Sequence, residues 1–351
     1  MMRSYYVCWL LTLLSWPVCA APSTQSLLEE AQRYAADYPG LISLCDLTQR
    51  TGHPSRAPSY RAKGPPPVSL PNEPDIEAST LTPSRVTGKT LPRRTIAPTK
   101  VFDNLYYVGA GNVAAWVIQT SEGLILIDTL NNAAQAQQYI VKGLRTLGLD
   151  PADIKYIVIT HEHGDHYGGQ AFLTAQYQPT LLMSERGWQA LQNGTVAVHS
   201  SRWGPAPTKV TTVAHRSRIT LGEITVQFFA TPGHTPGTLS VVFDVKDSEN
   251  THTAVLWGGT GLNFGPQGLQ LQQYAHSALA MQQTVQQLNI EVFLSNHPGR
   301  DGTAQRIQQL AQRSPQAHPF VSNVSHVTSA FRLLEICALI QYQHIGLAEK
   351  P

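Results

Sequence analysis

The sequence predicts a mixed α/β chain in which two sheets lie face to face between outer layers of helix. Three observations carry that prediction: strand-like apolar runs come in two sets, each set is followed by a segment of helical spacing, and the runs end repeatedly in loops that carry histidine. With 351 residues, 42% of them hydrophobic, the chain is long enough for one large domain with extensions and can bury a sizeable core. Only 14% of residues are charged and the net charge is +2, which leaves no excess to neutralise phosphates over a wide surface. A nucleic-acid groove or a polybasic membrane patch is therefore not expected.

Residues 1–20 read as a signal peptide. Arg3 supplies the positive start, residues 5–16 form an apolar run, and Val18, Cys19, Ala20 and Ala21 put small residues where a signal peptidase cuts. That run is shorter than the roughly 20 residues a membrane-spanning helix needs. The mature chain is expected to be periplasmic or secreted, with no stable membrane anchor once the signal is removed. Of the cysteines, Cys8 and Cys19 leave with the signal, while Cys45 and Cys337 stay. In an oxidising compartment these two can pair; two separate buried thiols fit the sequence equally well.

Residues 21–98 are expected to hold an N-terminal helix, with helical spacing over 25–37 ending at Pro39 and Gly40, and then a Pro-rich extension over 53–98 that cannot build a packed core. The main domain is expected over 99–313. Residues 101–108 and 113–119 alternate as strands, Gly123 turns the chain, and 124–127 is a buried strand ending at Asp128. A helical stretch reaches about Gly148, and 155–160 is a further buried strand. In the second half, 224–229 and 238–243 read as strands around the loop 231–237, and 253–257 is a strand ending at Gly258 and Gly259. A Gln-rich helix follows over about 271–288, then a last strand over 291–295. A C-terminal segment with a helix, 314–351, completes the chain.

The chemistry concentrates at the strand ends. His161, His163, Asp165 and His166 fall within six residues directly after a buried strand, a crowding of metal-ligand types that a divalent cation compensates. One ion cannot be served by all four with good geometry, so the run suggests two adjacent ions. His234 stands between two Pro-Gly turns, and His297 is fixed by Pro298 and Gly299. The expected sets are His161, His163 and His234 on one ion, with Asp165, His166 and His297 on the other. Each ion keeps an open place for a shared water or hydroxide, as catalytic sites do.

The order LIDT, THEHGDH, TPGHTPG and NHPG resembles the metallo-β-lactamase superfamily over about residues 99–313. The resemblance implies a four-layer αββα sandwich with two Zn2+ ions per chain at one edge. With no cysteine between residues 46 and 336, the chain looks most like the third subclass of metallo-β-lactamases, in which a histidine, here His166, serves the second ion. The implied reaction is opening of a cyclic amide in a small-molecule substrate, a β-lactam above all, by a metal-bridging hydroxide. Asp165 would act both as ligand and as the acceptor that orients the hydroxide. Asp128 is expected to steady a ligand histidine rather than to bind metal.

Two places depart from the family pattern. Lactonase, glyoxalase and ribonuclease relatives carry a metal-bridging aspartate where this chain has Gly258, Gly259 and Thr260. Thr260 can take the place of a serine that holds the antibiotic's carboxylate, or can be a simple turn residue. Glu162 stands where β-lactamases carry a small or aromatic residue, and leaves substrate identity open between a β-lactam, a lactone or other ester, and a non-catalytic zinc-binding module.

Overall fold

The computed structural model describes residues 22–47, 95–196, 198–314 and 317–348; the expected signal peptide and most of the Pro-rich stretch lie outside the described residues. Two sheets are stacked between helices. The first has seven strands in sequence order, β1 (Thr99–Phe102), β2 (Leu105–Tyr107), β3 (Trp116–Thr120), β4 (Gly123–Ile127), β5 (Ile154–Val158), β6 (Thr180–Ser184) and β7 (Thr211–Val213). The second has five strands in the order β12, β11, β10, β9, β8, comprising β8 (Arg218–Leu221), β9 (Ile224–Ala230), β10 (Leu239–Asp247), β11 (Asn250–Trp257) and β12 (Ile290–Ser295). The αββα sandwich expected from the sequence is the observed fold.

The alternation of side chains explains why the central strands read as continuous apolar runs. In β4, Ile125 and Ile127 face the core between the sheets, while Leu124 and Leu126 face the helices outside. In β11, Ala254 and Leu256 point inward, and Val255 and Trp257 join an outer cluster with the C-terminal helix. Strands buried on both faces have no polar side to show.

Four helices matter for the site: α1 (Thr24–Gln32), α2 (Gln170–Tyr177), α3 (Gly268–Gln287) and α4 (Val324–Ala348). Leu271, Tyr274, Ala278, Met281 and Val285 recur at helical spacing along α3 and are buried in the cluster that also holds Phe331, Leu334 and Ala338 of α4. Gln283, Gln286 and Gln287 lie on the exposed face of α3. Regular helix in α1 stops at Gln32, short of the 25–37 expected, and the chain then turns so that Tyr38 is buried with its hydroxyl donating to His326 O at 2.8 Å. A disulfide joins Cys45 to Cys337 across 292 residues and ties this N-terminal arm to α4. Gln341 Nε2 adds a hydrogen bond to Leu44 O at 3.2 Å.

Three strands went unread in the sequence, namely β6, β7 and β8, and the run 101–108 is split by a turn at Asp103 and Asn104. Among the described residues no helix is long and apolar enough to cross a membrane.

Candidate metal centre

Four loops meet at one edge of the sandwich. The first leaves β5, the second joins β9 to β10, the third leaves β11, and the fourth leaves β12. The sheets are stitched together there: Leu239 N donates to Thr160 O at 2.7 Å, Trp116 Nε1 to Ser295 O at 3.1 Å, and Ala114 N to Asn296 O at 2.8 Å. These loops therefore stand on fixed strand ends.

His161, His163 and His234 come together with His161 Nε2 and His163 Nδ1 3.2 Å apart, and His234 Nε2 3.1 Å from each of them. All three are buried. Burial lowers the pKa of each, His163 to about 4 and the other two well below the ordinary histidine value. Neutral rings have one lone pair each, and their outer contacts decide where it points. His234 Nδ1 donates to Gly261 O at 2.8 Å, which leaves Nε2 as an acceptor facing inward. His161 Nδ1 lies 3.1 Å from Thr160 Oγ1, whose own proton goes to Asp128 Oδ2 at 2.9 Å, so the ring donates there and its Nε2 also faces inward as an acceptor. Acceptors converging at such distances repel one another unless a cation lies among them.

Asp165, His166 and His297 form a second group, with one ligand atom of each within 4.8 Å of the others. His166 Nδ1 donates to Asp128 Oδ2 at 2.7 Å, and His297 Nδ1 donates to Asn112 O at 3.0 Å, again freeing both Nε2 atoms. His166 Nε2 is buried and makes no hydrogen bond, with Asp165 Oδ2 at 3.5 Å. Burial disfavours charge on His166, but the carboxylates of Asp165 and Asp128 outweigh it and raise its pKa. Burial likewise pushes Asp165 up, yet the charge and hydrogen bond of His166 hold it well below the usual carboxylate range. Surroundings that favour positive charge here favour a divalent cation in the same place. The six donors, all imidazole or carboxylate, fit a pair of such ions.

Asp128 takes the steadying position expected for it, and Asn296, whose role the NHPG motif does not announce, shares that work by donating from Nδ2 to Gly258 O at 2.7 Å and Thr160 Oγ1 at 3.1 Å. Glu162 belongs to neither triad and is buried. It accepts from Thr235 Oγ1 at 2.8 Å and Gly237 N at 3.0 Å, so it pins the His234 loop to the β5 loop. Thr260 departs from its expected substrate-contact role. The structure buries it fully, with its hydroxyl 3.4 Å from Ser295 Oγ and its carbonyl accepting from Tyr274 Oη at 3.3 Å, and Gly261 and Asn263 line the cavity instead. No side chain fits at the two glycines before it: a Cβ on Gly258 would lie 1.7 Å from Leu239 O, and one on Gly259 2.6 Å from the His234 Cβ.

The triads open onto a cavity of about 740 Å³ lined by His163, Asp165, His234 and His297 from the site, and by Asn112, Asn263 and Arg300. Pro39, Gly40 and Ser43 of the N-terminal arm complete the wall, a contribution no local pattern announces.

Two donor triads at the strand-end edge of an αββα sandwich define a hydrolase of the metallo-β-lactamase fold. Residues 108–247 match the sequence profile of the Metallo-beta-lactamase superfamily, and the chain carries a domain of that superfamily. It is similar to BJP-1, a subclass B3 metallo-β-lactamase of Bradyrhizobium japonicum, at 28% identity and a TM-score of 0.60, covering 74% of this chain and 98% of that one. The exodeoxyribonuclease WalJ of Streptococcus pneumoniae serotype 2 is 33% identical over 79 residues, 22% of this chain and 28% of that protein. An N-acyl homoserine lactonase of Bacillus sp. is 26% identical over 158 residues, 39% of this chain and 60% of the lactonase. The chain thus spans less than two thirds of either of these two relatives.

Proposed function

We propose that the protein is an exported dinuclear zinc hydrolase that opens a cyclic amide, with a β-lactam as its substrate. The observation that carries this reading is the second triad, completed by His166, together with a Gly258–Gly259 turn packed against Leu239 and His234 too tightly to accept a metal-bridging carboxylate. His161, His163 and His234 would hold one ion, and Asp165, His166 and His297 the other. Zinc bound there supplies a water acidic enough to ionise near neutral pH and a Lewis acid for the scissile carbonyl. Asp165 offers a carboxylate oxygen to accept a hydrogen bond from the attacking water and so orient it. Asp128, Thr160, Gly261 and Asn112 hold the ligand rings in the tautomers that face the ions. The cavity volume suits a small molecule, and the signal-like residues 1–20 support export to the periplasm or beyond.

Hydrolysis of nitrocefin by the zinc-loaded mature protein tests the reading, with metal content expected near two zinc ions per chain. His163→Ala and Asp165→Asn should each lower turnover by at least about a hundredfold while the fold survives. Near-native rates in both folded variants would overturn it. The likeness to the lactonase favours ester hydrolysis as the second reading, and turnover of a homoserine lactone without nitrocefin opening would select it.

A further inference from the structure

Arg300 lies on the cavity wall outside both triads, in the short helical turn Pro298–Asp301 that follows His297. Its backbone N–H donates to His297 O at 2.8 Å, so one turn carries a ligand histidine and a guanidinium side by side. Nη1 donates to Gly40 O at 3.1 Å and to Ser43 Oγ at 2.7 Å. Nε and Nη2 donate to none of the described residues. Arg313 and Arg332, by contrast, each hold a carboxylate through two nitrogens. Among the described residues Arg300 has no ion pair, although it is only partly exposed and burial lowers its pKa. A cation withdrawn from water without a counter-charge is costly. The only other charged residue on the wall besides the histidines is Asp165, which belongs to a triad.

The arm fixes where this guanidinium sits. Gly40 rests directly on the turn, close enough that a Cβ there would lie 2.1 Å from Gly299 O, and Ser43 Oγ in turn donates to Gly40 O at 2.8 Å. With Nη1 spent on the arm, Nε and Nη2 remain as a two-pronged edge, the geometry that grips an oxyanion bidentately.

Resting on the hydrolase reading above, we infer that Arg300 is the anion-recognising residue of the substrate cavity, and that the substrate carries a carboxylate or similar oxyanion besides the bond that is hydrolysed. The expected alternative for that task, Thr260, is buried. The N-terminal arm is then part of the substrate site, since it orients the residue that reads the substrate's charge.

Benzylpenicillin and its methyl ester differ at that group alone, a carboxylate in one and an uncharged ester in the other. Both are compared on the zinc-loaded protein, by KM where the ring is opened and by calorimetric titration where it is not. The acid should bind at least about tenfold better than the ester. Arg300→Gln should erase the preference by weakening the acid alone, leaving affinity for the ester within about threefold of the parent. Ser43→Ala, which removes an arm contact and leaves the charge, should narrow the preference without erasing it, as should Arg300→Lys if Arg300→Gln fails to fold. Equal affinity for acid and ester, a preference that survives Arg300→Gln, or an equal loss for both ligands in that variant would overturn the assignment. Absence of ring opening with the preference intact would overturn the hydrolase reading and leave Arg300 as assigned.

Discussion

The carboxylate of Asp128 reaches two loops at once: Oδ2 accepts from His166 Nδ1 at 2.7 Å, while Oδ1 accepts from Thr160 N at 2.8 Å. It does so from a left-handed backbone, φ 65°, which aspartate and asparagine tolerate better than most residues. One side chain therefore sets the ring orientation of a second-triad histidine and fastens the end of β4 to the end of β5.

Asp128→Asn keeps the size and backbone preference but loses the charge and one acceptor. Affinity for the second metal equivalent should fall by about 10- to 100-fold. Chelator competition measures this, with near-UV circular dichroism to show that the fold is retained. Unchanged affinity would show that His166 needs no such support.

Glu162→Gln leaves one oxygen where two now accept from Thr235 and Gly237. One of the two hydrogen bonds to the buried carboxylate is then lost, at about 1.5–3 kcal/mol. Urea unfolding of the two proteins should show that loss. A variant as stable as the parent would mean that water replaces the missing acceptor.

Gly259→Ala puts a methyl group 2.6 Å from the His234 Cβ, and His234 must move. Metal content of the protein and turnover should both drop, the latter by at least about tenfold. A crystal structure of the variant with His234 in place and full metal content would contradict this.

Changing Cys45 and Cys337 together to serine should leave the metal content and kcat intact, because neither residue belongs to a triad. Conformational stability should fall by about 2–4 kcal/mol. Loss of metal from the folded double variant would place a cysteine among the ligands after all.

Glu30 and Arg332 are joined by two hydrogen bonds of 2.8 Å. The hydrogen bond from Arg332 is the main reason the Glu30 pKa lies below its ordinary value of 4.5. As pH falls, the unfolded chain takes up this proton first, so the contribution is complete above the ordinary value and is lost as pH drops through the folded one. Glu30→Gln should therefore destabilise by about 1 kcal/mol at pH 7 and by less in acid. Denaturation midpoints at both pH values check the sign.

The residues that make up the two triads could be read from sequence because each lies in a short motif whose geometry is local: a run of six residues after β5, a histidine between two Pro-Gly turns, and a histidine ahead of Pro298. The layered fold followed from apolar runs that are buried on both faces. β6 is harder to read, since Thr-Leu-Leu-Met-Ser lacks alternation and contains residues that suit a helix equally well; pairing with β5 decides it. β7 and β8 are short and half-exposed, so they leave little apolar signal. Arg300, Asn296 and Gly40 escape local reading for another reason. Their roles arise from contacts between segments far apart in sequence, as in the approach of Gly40 to Gly299.

The bond between Cys45 and Cys337 also closes a covalent ring. All six donors of the two triads lie within the 292-residue separation it spans, so a single backbone cut anywhere between the two cysteines leaves both pieces joined until the disulfide is reduced.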